Sequence, residues 1–95
     1  MMNVLKMKVG KELDLMVAQQ VMGWNVDHHD IPDFSSDIKD VWAVVEKSRV
    51  LQFPNKFFKD SQGNWCVELD SGLVIKEKSA ALVICKAALI KNSKR

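Results

Sequence analysis

Hydrophobic positions along the chain change period several times, and each change marks a candidate element. At the start, Val4, Lys6 and Lys8 alternate with Leu5, Met7 and Val9. A period of two favours a short strand, although a segment this close to the terminus is as readily frayed. From Lys11 onward, Leu13, Met16, Val17, Val21 and Trp24 follow the spacing that places side chains on one side of a helix. Gly23 stands where a left-handed residue would end that helix, which predicts a helix over residues 11–22.

The stretch PDFSSDIKDVWAVVEKS predicts a second helix. Ser35 or Ser36 supplies the cap, and Asp37 falls in the first turn, where the helix dipole favours an acid. Ile38, Val41, Trp42 and Val45 stand at i, i+3, i+4 and i+7, which predicts that all four share the buried face. Lys39, Asp40, Glu46 and Lys47 take the other side, and Phe34 is placed to act as a hydrophobic staple. Between Arg49 and Lys76, the runs NKFFKD, NWCVELD and GLVIKE are separated by SQG and SG. Aromatic and β-branched residues bounded by Gly63 and Gly72 predict an antiparallel meander, with Pro54 at an irregular or edge position. Trp65, Val67 and Leu69 then face one way, and Cys66 and Glu68 the other. Phe57 and Phe58 must point to opposite layers.

Ser79 caps a last helix, SAALVICKAALIKNSKR, in which Leu82, Val83, Ile84, Cys85, Leu89 and Ile90 cover most of the circumference. A helix this apolar is buried centrally or meets a partner. The pattern predicts an α+β domain: a small α/β/α sandwich with an antiparallel sheet of three to four short strands flanked by three helices. One domain spans residues 1–95, with 1–10 as an extra strand or frayed terminus and 91–95 as a basic tail.

Composition narrows the functional classes. Ninety-five residues, 47% hydrophobic and 27% charged, suit one globular domain. Fourteen basic against twelve acidic residues is too balanced to argue for a polyanionic partner. Cys66 and Cys85 are far apart and form no CxxC pair, so two reduced, half-buried thiols are expected rather than a disulfide or a zinc site. Lys6, Lys8 and Lys11 interrupt any signal-like run, and no stretch reaches the ~18–20 apolar residues of a membrane span. The expectation is a soluble, intracellular protein without membrane contact.

Candidate chemistry is sparse. In DHHD, residues 27–30, His28 and His29 are adjacent, whereas helical metal pairs stand three or four residues apart. A solvated loop without a metal is expected there, with the two histidines kept as binding candidates. The serines sit at caps and turns, the glycines are isolated, and neither cysteine has a histidine neighbour in sequence. No catalytic residue and no cofactor is therefore expected. An enzyme would instead need a pocket joining His28 or His29 to Cys66, Cys85 or a carboxylate. Trp24, Trp42 and Trp65 read as core. Whichever of Phe57 and Phe58 is exposed is the best candidate to meet a partner or a stacked base. Lys91, Lys94 and Arg95 could touch phosphate without specificity.

Three pieces, LDLMVAQQVMGW, PDFSSDIKDVWAVVEK and ICKAAL, follow one another in an order that resembles the phage ABA sandwich family. The resemblance covers residues 13–47 and 65–89. It is most specific at Met22-Gly23-Trp24 and in the run from Ser36 to Trp42. It implies helices on both faces of a small antiparallel sheet, a phage or prophage source and hence a host cytoplasm, and no assigned activity. Two features depart from it: the segment before Lys11 is longer, and Leu82 and Val83 make the last helix more apolar. The expected role is a non-enzymatic phage accessory protein that binds a host protein, a small signalling ligand or itself. Self-association would use Leu82, Val83, Leu89 and Ile90 of the last helix. A weak nucleic-acid-binding domain using the basic tail is the alternative, though nucleic acid is not the expected partner.

Overall fold

A computed structural model of the chain describes residues 4–25, 30–52 and 54–93. Helix α1, Lys11–Gln20, buries Leu13, Val17 and Ala18 along one side, as the spacing predicts. Its end is closed by the Val21 N–H bonding the Val17 carbonyl, and Gly23 follows with a φ of 73°. Helix α2, Ile38–Ser48, starts differently from the prediction. Its cap is Asp37, whose Oδ1 accepts the Lys39 N–H at 2.8 Å. Ser35 is instead buried, with its N–H donating to Asp14 Oδ1 at 2.7 Å and its Oγ accepting the Gly10 N–H at 3.1 Å. That hydroxyl ties the loop to the start of α1 and leaves the cap to the acid. Phe34 lies too far before the cap to act as a staple and belongs to the core.

The predicted N-terminal strand is absent from the described residues. Val4–Lys6 forms a single 3-10 turn, closed by the Met7 N–H on the Val4 carbonyl at 3.1 Å. The Leu5 carbonyl accepts the Lys86 ammonium at 2.9 Å, so a side chain takes the place of a neighbouring strand.

Strands β1, Lys56–Lys59, β2, Trp65–Glu68, and β3, Val74–Glu77, form an antiparallel sheet in the order β1-β2-β3. Phe57, Val67 and Ile75 make one cross-strand row, and Lys59, Trp65 and Glu77 the next row on that face. Phe58, Cys66 and Lys76 are aligned on the opposite face. In the first hairpin, Asp60 Oδ1 accepts the N–H groups of Gln62 and Asn64, both at 2.9 Å. These bonds, with the Asn64 N–H the strongest influence, hold the Asp60 carboxyl below its ordinary pKa. Asn55 links the approach to β1 with the second hairpin: its amide donates to the Val50 carbonyl and its Oδ1 accepts the Asp70 N–H, both at 2.9 Å.

Helix α3, Ala80–Ser93, is capped as predicted, with Ser79 Oγ accepting the Leu82 N–H at 3.3 Å. It packs on β2 and β3 and also on α1 and α2. Lys86 reaches Glu77 on the sheet side, while Lys91 donates to the Ser48 carbonyl of α2 and Asn92 to the Gln20 carbonyl of α1. The α+β sandwich therefore stands as expected, but its layer order differs from helices on both faces of the sheet. α3 is the middle layer, between the sheet and the α1–α2 pair. This position uses nearly the whole circumference of α3 and accounts for its apolar composition.

One local strain has a measurable consequence. Arg49 ends α2 at φ 57° and ψ 30°, a left-handed conformation that suits glycine. Arg49→Gly is expected to stabilise the fold by about 0.5–1 kcal/mol, because relief of the left-handed cost exceeds the added freedom of the unfolded chain. A thermal melt should rise by a few degrees; an unchanged or lower midpoint would show that the arginine side chain offsets the strain.

Candidate functional site

The buried stripe of α2 is rotated from its predicted position. Its apolar residues span an arc of roughly 160° at 3.6 residues per turn, from Val44 through Val41 and Val45 to Ile38 and Trp42. Packing on α3 uses the first part of that arc: Val41 and Val44 are fully buried and Val45 partly so. Ile38 and Trp42, expected in the core, are 54% and 52% exposed. They are neighbours one turn apart on the helix surface. Lys39 and Glu46 lie beside them on the same exposed side. The surplus width of the apolar arc was visible in sequence. Which edge would be left uncovered was not.

The other candidates fall in different places. Phe57 turns inward and stacks on Trp65, with ring centroids 5.2 Å apart and planes 17° from parallel. The Lys59 ammonium lies 5.2 Å from the Trp65 ring centre, so this pair is largely engaged. Phe58 points to the outer sheet face and is 39% exposed, in a row with buried Cys66 and exposed Lys76. The predicted split between the two phenylalanines therefore holds. Trp24 packs against the core with its ring 5.8 Å from that of Phe34.

On α3, Val83 and Leu89 are buried by the chain's own elements, and Leu82 and Ile90 are partly buried against the same core. Val83 and Leu89 are thus not free to form a contact between copies, because the sheet and the other helices already cover this helix. Lys91 is held to the α2 terminus at 3.0 Å. His28, His29, Lys94 and Arg95 lie outside the described residues.

Both thiols are reduced and fully buried rather than half-buried. Burial, and secondarily the negative charge of Asp14, pushes the Cys85 thiol far above its ordinary pKa. A thiol in that state is a packing group, not a nucleophile. Among the described residues, no group of three or more His, Cys, Asp or Glu converges as a metal ion would require, and no helix is long and apolar enough to cross a membrane.

Comparison with known proteins adds an independent line. The family model of the phage ABA sandwich domain matches residues 15–89. The chain belongs to this family. The phage ABA sandwich match spans both α2, with its exposed Ile38 and Trp42, and all three strands. The 2.0 Å crystal structure of a phage protein from Bacillus cereus ATCC 14579 is similar to this phage ABA sandwich domain with a TM-score of 0.67. That likeness covers 98% of this chain and 90% of the other at 21% identity, which speaks to the fold alone. A search of curated proteins found no match.

Proposed function

We propose that this phage ABA sandwich domain is a non-catalytic accessory protein of the host cytoplasm that works by binding, with the Ile38–Trp42 face of α2 as its docking surface. The observation that carries this reading is Trp42, half exposed beside half-exposed Ile38 on a helix whose other side is packed. A large aromatic left in water beside a branched aliphatic forgoes burial of about 2–3 kcal/mol per side chain, which a partner can recover. Tryptophan is also among the residues that most often dominate binding energy at protein interfaces.

Photo-crosslinking inside expressing cells tests the reading. A benzophenone amino acid in place of Trp42 should capture a defined product, whereas the same group at exposed Gln62, on the far hairpin, should not. Ile38→Ser should then weaken binding of the purified captured partner by about tenfold or more, consistent with loss of one buried aliphatic contact. Equal capture from both positions, or binding indifferent to Ile38→Ser, would sink the reading.

A further inference from the structure

The charges around Ile38 and Trp42 say what kind of partner fits this face. Lys39 and Glu46 are exposed, lie on the same side of α2, and stand one on each side of Trp42. Seven residues separate them, about 10.5 Å along the axis, too far for an ion pair within the helix. Neither has an ion-pair partner among the described residues. At the ends of the helix, Asp37 caps the start and Arg49 follows the finish.

An arrangement of opposite charges about an apolar centre is its own complement when turned through a two-fold axis. We infer that the docking surface pairs with α2 of a second copy of this chain, antiparallel, with Trp42 on the symmetry axis. This rests on the docking reading above and names its occupant. In that pairing, residue numbers of facing positions sum to about 83–85 at a helix spacing of roughly 8–10 Å. Trp42 therefore meets the second copy's Trp42, and Ile38 lies against the second copy's Val45. Lys39 faces the second copy's Glu46, and Glu46 faces the second copy's Lys39. The Asp37 end of each helix comes beside the Arg49 end of the other, and the two helix dipoles oppose. The contact is isologous, so it closes at two copies. One helix face buries less than the roughly 800 Å² per partner of a standard interface, so association should be weak and concentration-dependent.

Sedimentation velocity on the full chain, from about 10 to 500 µM, should show the average mass rising toward twice the monomer. Trp42→Ala should weaken association at least tenfold. Lys39→Glu alone and Glu46→Lys alone should each do the same, because each sets like charges against each other twice across the axis. Mixing Lys39→Glu with Glu46→Lys should restore dimers, which native mass spectrometry would identify as one copy of each variant. Recovery on mixing also shows that both variants are folded. A wild-type monomer at the top concentration, dimers unchanged by Trp42→Ala, or no mixed species would overturn self-pairing. A crosslink from position 42 to a different protein, with a monomeric wild type, would overturn it too while leaving the docking surface in place.

Discussion

Replacing Glu77 with alanine is expected to destabilise the domain by about 3–5 kcal/mol, a large part of the 5–15 kcal/mol that holds a domain of this kind together. The reason is the burial of its partner. Lys86 projects from the middle layer, its side chain 3% exposed, and reaches Glu77 Oε2 at 2.7 Å and the Leu5 carbonyl at 2.9 Å. Without Glu77, an ammonium group is left in the core with one carbonyl for a partner, and burying a charge without a counter-charge is costly. The two halves of the pair are not equivalent. The Glu77 side chain is 24% exposed and can take up water when its partner is removed. Lys86→Met keeps most of the buried stem and removes the charge, so it should cost about 1 kcal/mol or less, or even stabilise. Urea denaturation of both variants checks the order. A Lys86→Met variant less stable than Glu77→Ala would mean that the carboxylate, not the ammonium, is the stranded group.

Phe34→Ala is expected to cost about 3–5 kcal/mol, which in a domain of this size lowers the melting temperature by roughly 12–25 °C. Phe34 is among the largest fully buried side chains, although it lies in the turn before α2 and not in a regular element. Its neighbour Ser35 is fixed to Asp14 and Gly10, so the backbone cannot easily move inward to fill the space. The tilted contact with Trp24 is also lost, and tryptophan fluorescence should report that loss along with the melt. A cost under about 1 kcal/mol would show that the loop relaxes into the cavity and does not serve as an anchor.

Two such anchors explain how an odd layer order is kept. Phe34 and Ser35 hold the loop before α2 onto α1, and Lys86 draws the N-terminal 3-10 turn and β3 onto α3. Neither was legible as such. In the sequence, Ser35 has the look of a cap and Lys86 of a polar interruption in a hydrophobic helix. The distinction depends on groups 21 and 81 residues away along the chain.

The site shows the same division. Sequence alone determined the three helices, a meander of short strands, the hairpin turns, which residues of β2 share a face, and the split between Phe57 and Phe58. These follow from periods of 3.6 and 2 and from local capping and turn chemistry, all of which act over a few residues. The family was equally legible, through Met22-Gly23-Trp24 and the run to Trp42. What only the tertiary structure decided is which part of each apolar surface is covered. Periodicity locates a hydrophobic face but not the width of the partner laid on it. α3 is covered on almost every side because the sheet and two helices meet around it, so Val83 and Leu89 are inside. α2 touches α3 along one edge of its apolar arc, and for that reason Ile38 and Trp42 stand in water.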